Sequence, residues 1–219
     1  SFPTRRASDL LDNFAQLLER SYQPLANTLF LSTVAAILAT MIGVPIGYLL
    51  VRQPSRLTAL LDIVATAPFA VAGTVLGIGL VLTFNSGFLI LTGTWVIMVI
   101  AYAVRKLPFS VRSSVGIMHQ IEGNLEEASI NLGVPPFSTF LRITIPLILS
   151  GIVGGLVLSF VTTASELSST IVLYSGPWTT MTMAMFQALE GTSAGEATAA
   201  ATILIVFTVL PVALVSRLL

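Results

Sequence analysis

From Ile63 to Val104 the chain carries no Asp, Glu, Lys or Arg, and a second charge-free run extends from Leu25 to Val51. About 20 apolar residues suffice for a helix to cross a hydrocarbon core of about 30 Å. Runs of this length therefore constrain the fold more tightly than any motif. Composition agrees: of 219 residues only 9% are charged, and the mean hydropathy is +0.94. Soluble domains are about one-quarter charged, so this surface is expected to face lipid. The expected class is all-α, a polytopic membrane protein with about five transmembrane helices.

The spans follow from charge and punctuation. Leu25 to Val51 is the first; its Gly43, Pro45 and Gly47 are tolerated because neighbouring helices re-satisfy freed backbone groups. Ile63 to Val104 is too long for one helix and is broken by Asn85-Ser86-Gly87. It reads as a hairpin, one span near Leu60 to Phe84 and the next near Phe88 to Val104. Ile143 to Ala164 is the fourth span and Ala197 to Ser216 the fifth. Leu167 to Leu189 is also charge-free, but it holds Ser175-Gly176-Pro177-Trp178 and many hydroxyl residues. With the N-terminal side outside, five spans put Arg52, Arg56, Arg105, Lys106, Arg112, Arg142 and Arg217 inside, as the positive-inside rule requires. A further crossing at Leu167 to Leu189 moves Arg217 outside. That stretch is therefore read as an outer re-entrant or surface segment.

Residues 1–24 form a leader and an outer surface segment, and residues 25–219 the membrane domain. The opening SFPTRRASDL lacks the apolar core of a signal peptide and resembles the translated tail of a sequencing adapter. Asp9 to Arg20 places Leu10, Leu11, Phe14, Leu17 and Leu18 at roughly helical spacing, which suits a short helix lying on the outer face.

Several chemistries have no residues to run on. Formal net charge is zero, so no global field favours nucleic acid. There is no cysteine, and the one histidine, His119, has no second His or thiolate to share a metal. Neither a G-x-x-x-x-G-K-[ST] phosphate loop nor a G-x-S-x-G elbow occurs. No catalytic residue, metal site or cofactor is expected, and the chain reads as a non-enzyme.

Much of the charge sits instead in one inner loop, about residues 105–142, between the third and fourth spans. It holds Arg105, Lys106, Arg112, His119, Glu122, Glu126, Glu127 and Arg142. At its centre Glu126-Glu127-Ala128-Ser129-Ile130-Asn131-Leu132 suits a short helix, with Gly133 as a stop just past its end. Pro135 and Pro136 forbid continuation, and Phe137 to Ile143 restarts as a second short helix. Two short helices joined at a glycine make a rigid protrusion; an ordinary solvated loop is the competing reading.

Here the sequence resembles the permeases of binding-protein-dependent ABC importers. Their last large inner loop carries Glu-Ala-Ala, three residues, Gly, nine residues, Ile, one residue, Leu-Pro. This chain has Glu127-Ala128-Ser129, three residues, Gly133, nine residues, Ile143, Thr144, then Ile145-Pro146. The spacing matches throughout, with Ser129 and Ile145 as the departures. Ala67-Pro68-Phe69-Ala70-Val71-Ala72-Gly73 resembles a region where the family often has Pro-Gly, and Ala72 departs from it. That departure puts the family's kink there in doubt; close helix packing is the other use for Gly73 and Gly77.

The resemblance implies a permease subunit in a bacterial inner membrane, paired with a second permease half that is identical, separate or fused. Two soluble ATPase subunits lie beneath, and a periplasmic binding protein delivers the substrate outside. Glu127, Ala128, Ser129, Gly133, Ile143 and Pro146 then belong to the loop that docks on the ATPase. Glu127 offers a charged contact, Gly133 permits the turn and Pro146 sets the start of span four. Family members usually have one more helix upstream, so the chain reads as a fragment.

For the substrate path, the candidates are Thr162, Ser165, Glu166 and Ser169, around the outer end of span four. Glu166 can line the path, pair with the other half or sit among headgroups. Glu166 to Tyr174 resembles ferric-iron importer permeases; polyamine, sulfate and phosphonate importers share much of the pattern. A secondary transporter is the reading from another class, but no internal repeat favours it.

Overall fold

The computed structural model describes residues 7–86, 90–121, 123–191 and 194–218. Side chains of residues 7–21 lie outside the description, as do Arg5, Arg6, Gly87, Phe88 and Glu122. The described residues form helices α1 (Ala7–Arg52), α2 (Arg56–Ala70), α3 (Gly73–Phe84), α4 (Trp95–Met118), α5 (Asn124–Asn131) and α6 (Pro136–Thr139). A π-helical turn over Phe140–Thr144 leads into α7 (Ile145–Leu147), α8 (Leu149–Ala164) and α9 (Thr170–Leu173). A 3₁₀ turn at Gly176–Trp178, α10 (Met181–Glu190) and α11 (Ala194–Leu218) complete the chain.

The segment expected to lie on the surface at residues 9–20 is instead continuous with the first span, in one 46-residue helix. Tyr22–Arg52 and Ala197–Val215 are each long and apolar enough to cross a membrane. The bent pairs α2–α3 and α6-to-α8 raise the count to four. The remaining expected span, the third, corresponds to α4, which is set apart by the three cations it carries.

The middle of the fold is a three-helix seam of α1, α4 and α8. Small residues let the backbones approach, as is usual where membrane helices pack. A β-carbon built on Gly43 would stand 2.7 Å from Ser110 Cβ, and one on Gly47 2.8 Å from Ser114 Cβ. On an adjoining face of α4, β-carbons on Gly151 and Gly155 would meet Ile117 Cβ at 2.8 Å and Ser113 Cβ at 2.9 Å. The serines close the seam by hydrogen bonding: Thr40 with Ser110 (3.2 Å) and Ser110 with Ser159 (3.3 Å).

These contacts fix the register. α1 and α4 run parallel, since Phe30 meets Trp95, Gly43 meets Ser110 and Gly47 meets Ser114. Along that register Arg105 is level with Leu38, the midpoint of the charge-free run Leu25 to Val51. α8 runs antiparallel to α4, so its far end, at Ala164, reaches only the level of Arg105. At the Trp95 end, Phe30, Trp95 and Trp178 cluster with centroids 5.4–6.3 Å apart. Aromatic clusters of this kind favour membrane interfaces.

Three expectations change. The third span is not Phe88 to Val104: a positive-φ turn at Gly93 (φ 82°) delays the helix to Trp95, and it then continues to Met118. The inner connection accordingly begins at His119 rather than at 105, and Arg105, Lys106 and Arg112 lie within the helix. Second, the hairpin's first arm is broken after Ala70, with α2 and α3 bent by 106°. The kink thus exists without the Pro-Gly pair. Val71 is extended, and Gly73 admits the Arg105 guanidinium and Ser168 where a β-carbon would otherwise stand. Third, Glu166 does follow the end of α8 at Ala164, but that end lies midway along α4, against Lys106, rather than at the outer face. The chain beyond it continues through α9 until Ser175 Oγ donates to Gly93 O at the Trp95 end. It then doubles back, and the Thr182 hydroxyl donates to Glu166 O (3.1 Å).

The seam makes a measurable prediction. Gly43→Val is expected to lose about 1–3 kcal/mol through overpacking against Ser110. Gly79→Val, at a position with open space, serves as the control with the same change in helix propensity. Thermal unfolding of the two variants in detergent checks this.

Candidate functional site

At the Arg52 end of the bundle α5 and α6 form a hairpin. α5 stops because Gly133 (φ 87°) takes the left-handed conformation, with Gly133 N–H donating to Ile130 O and Val134 N–H to Ser129 O. This paired bond closes a helix end wherever glycine follows it. Pro135 and Pro136 then direct the chain into α6. Across the turn Ser129 and Thr139, both buried, share a hydrogen bond of 2.9 Å. A motif departure from alanine thus braces one helix of the hairpin to the other.

The two adjacent acids of α5 have opposite surroundings. Glu126 is buried: Arg52 Nε and Nη2 donate to its Oε1 (3.2 and 3.1 Å), and Tyr48 OH donates to its Oε2 (3.3 Å). Arg52 also donates to Ile121 O, and Tyr48 meets Phe140 edge-on at 4.7 Å. Glu127 is exposed. Around it the hairpin displays Leu132, 85% exposed, and Phe137, 72% exposed. The structure thus places Glu127, Ala128 and Gly133 on the outward hairpin and Ser129 within its brace. Ile143 falls in the π-helical turn. Pro146 does not begin the membrane-directed helix as expected. It sits in α7, before a 73° bend, and α8 starts at Leu149. The physical reason is that Pro146 has no N–H to return to Arg142 O, which favours the wider turn over Phe140–Thr144.

Midway along α4 lies a buried ion cluster. Arg105 Nη1 donates to Glu166 Oε1 (2.7 Å) and Lys106 Nζ to Glu166 Oε2 (2.9 Å). Their side chains are 14%, 8% and 6% exposed for Arg105, Lys106 and Glu166. Thr170 and Thr182 both donate to Glu166 O, and Tyr102 OH bonds Thr170 Oγ1 at 2.6 Å. Of the four path candidates, Glu166 and Ser169 are brought together here, both buried. Thr162 and Ser165 are not: their hydroxyls donate back to Leu158 and Val161 carbonyls of α8. A second ion pair, Arg112 and Asp62, stands 2.9 Å apart beside an open groove of about 440 Å³ lined by Thr66, Phe69, Phe109 and Ser113. His119 is exposed at the end of α4, and the described residues contain no group of ligands fit for a metal.

Arg52, Glu126, Lys106 and Arg105 were not singled out by their sequence positions. One signal was present: apolar residues continue at Leu107, Pro108, Phe109, Val111 and Val115, past the first cations. A lone acid in an uncharged stretch, as Glu166 is, also calls for a buried counterion.

Solved structures of ABC importers share this fold. A chain of the MetNI methionine ABC transporter, solved in inward-facing conformations, superposes with a TM-score of 0.75 at 17% identity, covering 97% of both chains. A chain of a bacterial ABC transporter importing alginate gives 0.75 at 16% identity, covering 99% of this chain and 85% of that one. Residues 39–219 match the model of the binding-protein-dependent transport system inner membrane component, and the chain belongs to that family. The ferric transport system permease protein FbpB of Actinobacillus pleuropneumoniae is 30% identical over 201 residues, 90% of this chain. The chain spans only 29% of that relative's length. The molybdate/tungstate transport system permease protein WtpB of Pyrococcus abyssi is 26% identical, covering 83% of this chain and 73% of its own length.

Reversing either charge of the Arg52–Glu126 pair strands its partner in a mostly buried position. Arg52→Glu and Glu126→Arg are each expected to cost about 3 kcal/mol. The double reversal should recover most of it, a coupling that a double-mutant cycle of thermal stability measures.

Proposed function

We propose that this chain is a membrane-spanning half of an ATP-driven, binding-protein-dependent importer, and that the α5–α6 hairpin is where a separate ATPase subunit grips it. One observation carries the reading: a braced hairpin at the Arg52 end presents Glu127, Leu132 and Phe137 outward while Glu126 is held inward. Large apolar side chains on a protruding, cross-braced turn suit a protein partner better than water. Glu127 adds a charge-assisted contact to a basic group there. In this reading α4 also crosses the membrane, as the third of five spans, its cations neutralised inside the protein, and the Arg52 end is cytoplasmic. A second half and an outer binding protein complete the machine.

The family relationship supports the class. For cargo, the relatives named for ferric iron favour ferric iron. Relatives named for molybdate/tungstate, 2-aminoethylphosphonate and sulfate support the alternative of an oxyanion.

Glu127→Lys should leave the protein inserted at wild-type levels. It should lower both uptake and binding-protein-stimulated ATP hydrolysis by at least about tenfold, the loss of about 1.4 kcal/mol or more of contact. Reconstitution with the ATPase and binding protein measures both, and wild-type rates in the variant overturn the docking role.

A further inference from the structure

Two cations and one carboxylate meet halfway along α4, and one positive charge is left over. We propose that Arg105, Lys106 and Glu166, at the break between α2 and α3, form a transient anion site. The cargo would then pass this level as a free oxyanion or as a ferric complex that carries one. The proposal rests on the importer reading and deepens it.

The depth comes first. Arg105 is level with the centre of α1's charge-free run, where an ionisable side chain is costly and is retained for a pathway or a partner. Charge count comes second. Arg112 and Asp62 neutralise each other one for one. At Glu166 a single carboxylate serves both Arg105 and Lys106, and among the described residues no second acid is paired with them.

Two groups beside Glu166 are left without partners, and both are able to donate. Arg105 Nε is buried and unbonded, and so is the Ser169 hydroxyl, which is fully buried. Both border the broken helix: a β-carbon on Gly73 would run into the Arg105 guanidinium and stand 3.0 Å from Ser169 N. α3, a 12-residue helix, begins at Gly73 with no side chain capping its first turn. Its positive end therefore adds to the excess, as helix N-termini do at anion sites in broken membrane helices. Surplus positive charge and unfilled donors complement an anion with several acceptor oxygens, and they repel a bare ferric ion. Arg105, the most exposed of the three, is the group that would reach cargo. Lys106 stays with Glu166 and keeps that carboxylate charged and held.

The test uses the full-length permease assembled with its ATPase. Thermal midpoints in detergent are read while chloride is replaced by sulfate, phosphate or molybdate at constant ionic strength. At least one oxyanion should raise the midpoint by a few degrees. The rise should vanish in Arg105→Gln, persist in Arg105→Lys and shrink in Ser169→Ala, which breaks no existing hydrogen bond. In proteoliposomes with the binding protein, Arg105→Gln should cut uptake by at least about tenfold and Arg105→Lys should restore it. Presenting labelled sulfate, molybdate and ferric citrate separately distinguishes a free oxyanion from a ferric complex. The proposal is overturned if no oxyanion shifts the wild type, or if Arg105→Gln, correctly folded, transports at the wild-type rate. Failure of the importer reading looks different: the wild-type ATPase would then ignore the binding protein, whatever the anions do.

Discussion

The neutralisation of Arg105 and Lys106 by Glu166 is the interaction on which this fold turns. Without the carboxylate, α4 would carry two buried cations at its midpoint, and removing one member of a buried ion pair costs about 3–5 kcal/mol. With it, α4 continues from Trp95 to Met118 and fills the centre of the bundle between α1 and α8. The same contact sets where α8 ends, because the chain must leave the helix at Ala164 to bring Glu166 onto Lys106. It also sets where the first hairpin breaks, because the Arg105 guanidinium occupies the space beside Gly73. A span, a helix end and a 106° bend share one cause.

The sequence made the apolar runs, the Gly133 stop and the loop spacing legible, because each depends on residues near one another in the chain. Gly133 was readable since only one local conformation closes α5 there, and Pro135 and Pro136 forbid the alternative. By sequence Arg105 and Lys106 fall in a loop, because charge ordinarily marks a membrane boundary. What keeps them inside is an acid some sixty positions away, and no local pattern announces that pairing. Glu126 and Glu127 were indistinguishable as neighbours on one short helix. Only the approach of Arg52, from the end of α1, separates a buried acid from an exposed one. The α2–α3 break was doubtful for a related reason: the family's Pro-Gly pair is absent, and the space for the bend is made by α4.

The polar groups of the bundle divide into two kinds. Along the seam, Thr40, Ser110 and Ser159 bond one another or nearby carbonyls, and their role is to let three helices approach closely. Around Glu166 the hydroxyls of Thr170 and Thr182 converge on a single carbonyl, while the Ser169 hydroxyl has no partner. The first set is self-contained, and the second is not.

The bracing of the α5–α6 hairpin has a mechanical consequence. One end of the hairpin is tied to α1 through Arg52 and Glu126, and the other runs by covalent chain into α8. Both helices belong to the block that interlocks through Gly43, Gly47, Gly151 and Gly155. With Ser129 and Thr139 holding the hairpin shut, a push on its tip has no slack to take up. The hairpin is therefore the short arm of a stiff lever, and a tilt imposed on it becomes a tilt of α1, α4 and α8 together.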